Sequence, residues 1–254
     1  MEKVDFVNDA LSLIQESGGL KFGTDALLLA AYIDPSRSYA RAIEYGSGTG
    51  IISLLALARD KIQSVSALEV QQQYAALTER NARLNGLAHR LHAVHTDLRE
   101  YSLAPDECVD IVYTNPPYMR CDTGRANTAD EKNAARHEIN GTIYSFLEAA
   151  KKHLRYGGAF LAVYRTDRLT DLIDAMRKNK IEPKRMTLVH ADASSLPSMV
   201  LIEGRAGGGE GLVVTAPLIL YRDKSHADYS EDMAYILEHG SFPKSFYIQN
   251  KKRK

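Results

Sequence analysis

The sequence predicts an α/β fold with one doubly wound sheet, and two observations lead to this prediction. A short apolar run at residues 40–45 is followed by a glycine-rich loop and then by the apolar, helix-like run 51–58. Strand-like and helix-like segments continue to alternate as far as residue 190. Such alternation is typical of a largely parallel sheet with helices on both faces. With 254 residues, 44% of them hydrophobic, the chain is long enough for one full core.

The elements are assigned from β-branched or alternating runs, helical spacing, and Gly or Pro punctuation. Apolar pieces at 12–15 and 20–22 flank a glycine turn and predict a small hairpin, and Thr24 or Asp25 can cap a helix over 26–33. Further strands are predicted at 40–45, 63–68, 91–96, 109–114, 159–164, 185–190 and 198–203, helices at 51–58, 71–85, 142–154, 169–178 and 231–238, a turn at 156–158, a flexible break at 207–209, and an edge pair at 212–215 and 218–221.

The predicted strand 109–114 stops at an unusual sequence, Asn115, Pro116, Pro117 and Tyr118. Each proline biases the residue before it away from the α region, so no helix can begin there. The loop therefore presents acceptors, namely the Asn115 side-chain carbonyl and backbone carbonyls, followed by one aromatic face. This set suits a flat molecule with an amino group. Taken alone, the same four residues are equally consistent with a plain turn.

The glycine loop narrows the choice of ligand. The nicotinamide fingerprint needs a third glycine at the position of Ile51, and Glu44 is also unlike that pattern. The spacing of Glu44, Gly46, Gly48 and Gly50 instead resembles motif I of S-adenosylmethionine-dependent methyltransferases with a Rossmann-like fold.

Four features follow one another in a fixed order that resembles the amino-methyltransferases: the glycine loop, Glu69, Asp97 and the Asn115 loop. Two flanking stretches, residues 20–30 and 135–138, resemble the tRNA(Val) adenine-N6 methyltransferase family. The resemblance runs from about residue 12 to about residue 204. It implies a doubly wound Rossmann-like methyltransferase sheet with a small N-terminal hairpin and helix cap, S-adenosylmethionine as cofactor, and methyl transfer to the exocyclic N6 amine of an adenine in tRNA.

The resemblance also implies a set of site residues. Glu69 ends a strand one βα unit after the glycine loop, where an acid can accept both ribose hydroxyls, although a surface carboxylate is the alternative. Asp97 can accept from the adenine amino group, although it can equally cap a helix, as can Thr24. The expected catalytic residues are Asn115, Pro116 and Tyr118, and the expected cofactor-binding residues are Phe22, Thr24, Glu44, Gly46, Gly48, Gly50, Glu69, Asp97, Leu98 and Asn115.

Substrate capture is expected from the segment after the Asn115 loop. Residues 119–134 are polar and irregular, and long loops of this kind are usually functional or mobile. The expected substrate-binding residues are Tyr118, Arg120, Arg125, Arg136 and His137. For the last two, a plain helix start before residue 143 is an equal alternative.

Charge and composition limit the partners. The net charge is zero, so any RNA contact must come from local patches. Two basic runs, 251–254 and 177–185, are candidates, but a solvated surface explains such runs better. The two cysteines show no metal-ligand spacing and are expected as reduced thiols, and the first residues do not resemble a signal peptide or membrane span. We expect a cytoplasmic monomer that binds tRNA, with no metal and no membrane contact.

The sequence predicts two domains, and it leaves two alternative functions open. Residues 1–38 are expected to form a hairpin and helix that cover the cofactor cleft, and residues 39–254 the methyltransferase domain. The Asn115 loop would also serve a glutamine side-chain amide, so a release-factor-type glutamine-N5 methyltransferase is one rival. That family usually carries a separate N-terminal helical domain, and only about forty residues precede the glycine motif here. A non-catalytic RNA-binding module is the other rival, but it would be expected to lose the acceptor loop first.

Overall fold

Strands and helices alternate along the part of the chain that the computed structural model describes, which comprises residues 2–8, 11–16, 23–104, 106–116 and 142–247. The strands are β1 (Glu2–Asn8), β2 (Leu11–Glu16), β3 (Tyr39–Tyr45), β4 (Ile62–Glu69), β5 (Leu91–His95), β6 (Val109–Thr114), β7 (Leu154–Arg165), β8 (Ile181–His190), β9 (Pro197–Ala206), β10 (Val213–Val214) and β11 (Leu218–Ile219). The helices are α1 (Thr24–Tyr32), α2 (Ile51–Ala58), α3 (Gln72–Leu84), α4 (Ile143–His153), α5 (Leu169–Lys178) and α6 (Glu231–His239).

The main sheet has the strand order β10-β8-β9-β7-β6-β3-β4-β5, and β11 also pairs with β8. Strands β3 to β7 are parallel where they pair, whereas β9 runs antiparallel to both β7 and β8. The chain moves outward from β3 through β4 to β5 and then returns to β6 on the other side of β3. Ligands of open α/β sheets bind at the carboxyl ends of the strands at such a switch point. We call this side of the sheet the carboxyl edge.

Helices cover both faces of the sheet, which confirms the doubly wound α/β prediction. One core contains buried residues of α1, α2 and α6, and a second core on the opposite face contains those of α4 and α5. The inner strands are buried from both sides and therefore form continuous apolar runs, as residues 159–163 of β7 do. No helix in the described ranges is long and apolar enough to cross a membrane.

Most predicted elements are confirmed, and α2 and α5 match residue for residue. Strand β2 pairs antiparallel with β1, a pairing that the sequence did not predict, because an alternating pattern identifies a strand but not its partner. The predicted second arm of the hairpin, residues 20–22, lies outside the described residues, so that pairing stays a prediction.

Two further predictions need correction. The predicted turn at 156–158 belongs to β7, which follows α4 directly and accommodates Gly157 at φ +75° beside a register irregularity. The predicted edge pair at 212–215 and 218–221 is two separate short strands, each parallel to β8 and not paired with the other.

Two asparagines, one on α3 and one directly after its end, bind the backbone of β2 in the manner of a neighbouring strand. The Asn85 side chain accepts from Ser12 N at 3.0 Å and donates to Ser12 O at 2.8 Å. Asn81 accepts from Ile14 N at 2.7 Å and donates to Ile14 O at 3.2 Å. These reciprocal bonds satisfy the backbone groups that β2 does not share with β1. The hairpin is therefore attached to α3 through polar contacts as well as through its apolar face.

The basic run at 177–185 divides into surface and core residues. Lys178 is exposed and pairs with Asp174 at 2.8 Å, as expected for a solvated charge. Arg185, by contrast, is 1% exposed, pairs with Glu203 at 2.9 Å and lies over the Tyr32 ring at 3.7 Å. The expectation that it contributes to a surface patch was wrong, because its charge is neutralised within the core.

Candidate active site

The glycine loop connects β3 to α2 at the carboxyl edge. Gly46, Gly48 and Gly50 have φ values of +67°, +55° and +78°, a region that side chains other than glycine rarely adopt. An added Cβ on Gly50 would also lie 2.9 Å from the Thr78 methyl carbon. Added Cβ atoms on Gly46 and Gly48 would meet no described residue within 4 Å. As far as the described ranges go, open space therefore lies in front of the first two glycines, while the third packs against α3.

Glu69 fixes the loop from the end of the neighbouring strand β4. Its Oε2 accepts from Gly48 N at 2.9 Å and its Oε1 accepts from Gln71 N at 2.9 Å. The residue is 6% exposed, so its carboxylate is held in one orientation. A carboxylate has about four acceptor sites, so each oxygen keeps one for a ligand. The open space at the glycines and the remaining acceptor capacity of Glu69 fit an adenosine ribose.

Two residues of α3 that the sequence reasoning did not single out also hold the loop. Thr78 Oγ1 donates to Gly48 O at 2.9 Å, and Asn81 Nδ2 donates to Thr49 O at 2.9 Å. Both side chains are completely buried. A polar residue on the apolar face of an amphipathic helix was the signal that could have found them.

Glu44 lies in the core beneath α2. It is 1% exposed, its Oε2 accepts from the Ser53 hydroxyl, and Ser53 in turn lies 2.7 Å from the Tyr113 hydroxyl. Its Oε1 has no hydrogen-bond partner within the described part of the chain. Burial raises the pKa of this carboxyl to about 8. The described structure therefore places Glu44 behind the glycine loop, and its expected role in cofactor binding stays a prediction.

Asp97 follows β5 at the same edge and is bound by its neighbour. Its Oδ1 accepts from Arg99 N at 2.8 Å, and the Arg99 guanidinium pairs with both carboxylate oxygens. This pairing lowers the pKa of Asp97. The Asp97 carbonyl also accepts from Glu100 N and Tyr101 N, so the residue begins a turn and not the helix that the capping alternative assumed. Leu98 packs against the core cluster that contains Tyr45 and Leu68.

Asn115 is held by a residue that precedes the glycine loop by some twenty positions. Its Nδ2 donates to Asp25 Oδ2 at 2.9 Å, and Asp25 Oδ1 accepts from Ala26 N at 2.9 Å. Because a carboxylate only accepts, this contact fixes which end of the Asn115 amide is NH₂. Asn115 Oδ1 is buried and has no hydrogen-bond partner among the described residues. Within that part of the chain, the site therefore contains an oriented acceptor that is unused.

The residues next to Asp25 and Asn115 leave room for the hydrogen bond between them. Gly23 precedes α1, and a Cβ there would lie 2.6 Å from Asp25 Oδ1. On the sheet, Thr114 Oγ1 donates to Tyr45 O at 3.0 Å, so the ends of β6 and β3 are adjacent. Asn115 and the glycine loop thus meet at the switch point of the sheet.

A family model now identifies this arrangement. The model described as "Methyltransferase small domain" matches residues 17–179, which include the glycine loop, Glu69 and Asn115. The chain belongs to the methyltransferase small domain family.

Curated relatives of this methyltransferase are named tRNA1(Val) (adenine(37)-N6)-methyltransferase. The protein of Bacteroides fragilis is 30% identical over 188 residues, covering 72% of this chain and 76% of the relative. That of Parabacteroides distasonis is 29% identical over 186 residues, with the same coverage. The resemblance to the tRNA(Val) adenine-N6 methyltransferase family is confirmed.

Solved structures share the methyltransferase fold. A protein of Agrobacterium tumefaciens, described as a predicted O-methyltransferase, has a TM-score of 0.69 at 22% identity and covers 89% of this chain and 99% of its own. Geranyl diphosphate C-methyltransferase from Streptomyces coelicolor has a TM-score of 0.52 at 11% identity and covers 72% of this chain and 78% of its own. At these identities the likeness concerns the fold alone.

Some predicted site residues of the methyltransferase are placed and others are not. Thr24 is the first residue of α1 and is half-buried, and Pro116 is buried beside Asn115. Gly23, not Thr24 or Asp25, precedes the helix as its cap. The remaining predicted residues lie outside the described residues: Phe22, Tyr118, Arg120, Arg125, Arg136 and His137.

Proposed function

We propose that this methyltransferase transfers the methyl group of S-adenosylmethionine to the exocyclic N6 amine of an adenine in tRNA. The single observation that carries the proposal is Asn115 Oδ1, a buried acceptor just after β6 that has no partner in the part of the chain that the structure describes. An adenine amine offers two N–H donors and needs acceptors in a fixed place. The names of the relatives support adenine as the base and tRNA as its carrier.

The acceptor explains how the chain promotes transfer. The adenine amine is a poor nucleophile, because its lone pair is delocalised into the ring. S-adenosylmethionine supplies a methyl group that its sulfonium already makes electrophilic. In the proposed mechanism Asn115 Oδ1 and the Pro116 backbone carbonyl accept hydrogen bonds from the two N–H groups of the adenine amine. They orient the lone pair and stabilise the positive charge that develops on nitrogen. Transfer releases S-adenosylhomocysteine and leaves a protonated amine, which is acidic enough to lose its proton to water or to a nearby acceptor. The contribution of the protein is therefore orientation and not a general base, so no histidine is required.

The cofactor is proposed to lie across the carboxyl ends of β3 and β4. Gly46 and Gly48 leave room for it. The two oxygens of Glu69 are proposed to accept hydrogen bonds from the ribose hydroxyls, while each oxygen keeps its hydrogen bond from a backbone N–H. Asp97 is a weaker candidate for the adenine amine, because Arg99 already uses both of its oxygens. Gly50 acts through packing against α3.

The N-terminal unit, residues 1–38, is proposed to cover the cofactor cleft from one side. Two contacts support this: Asn81 joins Ile14 to the Thr49 carbonyl, and Asp25 joins α1 to Asn115. Tyr118 is proposed to stack on the target base, and Arg120, Arg125, Arg136 and His137 to contact the RNA. The enzyme is proposed to act as a monomer in the cytoplasm.

The proposal is tested by incubating the purified protein with an unmodified tRNA(Val) transcript and labelled cofactor, followed by nuclease digestion and mass spectrometry. The relatives are named for adenine 37, so a transcript with guanine at that nucleotide is the matched control substrate. We expect N6-methyladenosine with wild type and a loss of about 100-fold in kcat with Asn115→Ala. Transfer to a glutamine-containing release-factor fragment, with none to tRNA, would favour the glutamine alternative instead.

A further inference from the structure

An exposed stack of three rings lies at the end of the main sheet. The Tyr221 ring is stacked on His226, with centroids 4.6 Å apart and planes at 19°, and on Tyr229, at 5.2 Å and 18°. Tyr229 is 43% exposed and the His226 side chain is 45% exposed. Aromatic faces on a surface are the main means by which proteins bind unpaired bases.

The stack lies on the same edge as Asn115. Strand β11 runs parallel to β8, and the backbone continues this pairing through Leu220 N to His190 O and Tyr221 N to Ala191 O. The rings therefore follow the carboxyl end of β11. Four strand steps separate β11 from β6, which places the stack about 19 Å from the Asn115 strand at the usual spacing.

The loop that carries the stack is held in one conformation. Tyr221 and Tyr229 form a β-bridge, and Arg222 N donates to Asp228 O at 2.9 Å. His226 has φ +54°, which is uncommon for a residue with a side chain, and its Nε2 lies 3.5 Å from the carboxylate of buried Asp192. A platform that is already ordered loses little entropy when a partner binds.

The loop of the stack carries two cations that can contact phosphate. Arg222 and Lys224 are exposed, and within the described residues neither forms an ion pair. Asp223 and Asp228 lie in the same loop, so its net charge is near zero and the two cations act as single phosphate contacts, not as a basic patch. On the opposite side of β3, the strand ends carry the acids proposed to face the cofactor.

We propose that this surface, Tyr221, Arg222, Lys224, His226 and Tyr229, is an RNA-binding platform that contacts the tRNA outside the target nucleotide. The inference rests on the proposed function. Specific nucleic-acid interfaces bury about 1,000 Å² or more of protein surface, far beyond the contact with one base, so the tRNA must touch the enzyme elsewhere. The platform lies along the same edge, on the side away from the cofactor.

Direct binding tests the platform without turnover. Fluorescence anisotropy with labelled tRNA(Val) should show Tyr229→Ala weakening affinity on the order of tenfold, and Tyr229→Phe retaining most of it, because stacking uses the ring. The matched control is Tyr156→Ala. Tyr156 is 83% exposed but lies near the start of β7, at the other edge of the sheet. Affinity for S-adenosylhomocysteine should be unchanged in all variants.

The cations give a second, independent measurement that leaves the stack intact. Arg222→Gln and Lys224→Gln should each reduce the slope of log affinity against log salt by about 0.7–0.9, whereas Lys151→Gln, on α4 near the other edge, should not. If wild type binds and methylates tRNA while neither the Tyr229 nor the cation variants differ from their controls, the platform is overturned alone. If wild type neither binds nor methylates tRNA, both proposals fall.

Discussion

The side-chain carboxylate of Asp25 accepts a hydrogen bond from the side-chain amide of Asn115, with Oδ2 and Nδ2 2.9 Å apart. The contact joins the first turn of α1 to the residue that follows β6. It turns the Asn115 carbonyl oxygen away from Asp25 and leaves it buried, with no partner in the described ranges. Asp25 is therefore a positioning residue, which acts on the substrate amine only through Asn115.

The first prediction concerns the removal of Asp25. Asp25→Ala should lower kcat about tenfold, because the Asn115 amide is then free to present its NH₂ group to the substrate amine. The KM for tRNA and the affinity for S-adenosylhomocysteine should stay within about twofold, since Asp25 is not proposed to touch either ligand. Steady-state kinetics and calorimetry measure these quantities. Asp60→Ala, at a site 84% exposed, is the control. A loss confined to KM would contradict a positioning role.

A second prediction exchanges the two partners. Asn115→Asp alone keeps an acceptor but sets two carboxylates against each other, so it should be nearly inactive. Adding Asp25→Asn restores a donor and acceptor pair with the roles reversed and should recover part of kcat. A double-mutant cycle on kcat measures the coupling. If the effects of the two substitutions simply add, the contact has no role in catalysis.

The third prediction concerns Glu69. Glu69→Ala should weaken S-adenosylhomocysteine binding by about 10- to 100-fold, because hydrogen bonds to charged groups contribute about 1.5–3 kcal/mol each. Glu69→Gln should fall in between, because one amide oxygen replaces two carboxylate oxygens. Calorimetry is the measurement, and Glu79→Ala, on the exposed side of α3, is the control. Wild-type affinity in Glu69→Gln would limit Glu69 to holding the loop.

The fourth prediction is a pH dependence of stability that arises from Glu44. Burial raises its pKa from 4.5 to about 8, so the folded state keeps a proton that the unfolded chain has released. The stability from this group is fully present below pH 4.5 and is lost as the pH rises towards 8. Glu44→Gln cannot ionise and should be more stable than wild type above that pH.

Urea unfolding across this pH range measures the difference in the free energy of unfolding. Glu238→Gln, whose side chain is 78% exposed, should leave the wild-type pH dependence unchanged. Parallel curves for wild type and Glu44→Gln would mean that the Glu44 carboxyl titrates normally.

The fifth prediction concerns Tyr118, which lies outside the described residues and is predicted from the sequence. Tyr118→Phe should retain much of the activity, because stacking on the base needs the ring and not the hydroxyl. Tyr118→Ala should raise the KM for tRNA and lower kcat. Equal loss in both variants would give the hydroxyl a chemical role that the proposed mechanism lacks.

The sequence was sufficient for the local order of elements and for the residues at strand ends. The glycine loop, Glu69 and Asn115 follow strands β3, β4 and β6, and the carboxyl ends of parallel strands meet at one edge. Their proximity could therefore be predicted from spacing alone. The identity of the ligands, S-adenosylmethionine and adenine, came from the resemblance to the family.

Long-range partners could not be read in the same way. Asp25 had a sufficient local explanation as a helix cap, so nothing in the pattern indicated its contact with Asn115, ninety positions away. Motif spacing likewise gives the position of Glu44 but not the direction of its side chain, so its burial beneath α2 could not be predicted. The contacts of β2 with Asn81 and Asn85 could not be predicted either, because in sequence these two look like ordinary polar helix residues.

Asn81 makes the N-terminal hairpin and the cofactor loop energetically dependent on each other. The side-chain amide of Asn81 forms hydrogen bonds with the backbone of Ile14 and with the carbonyl of Thr49. All of these bonds can exist together only when the hairpin and the glycine loop are both in place. By thermodynamic linkage, a ligand that orders the loop must favour docking of the hairpin by the same free energy with which the docked hairpin favours the ligand. Cofactor binding should therefore slow amide hydrogen exchange in β2, even if the hairpin does not contact the cofactor.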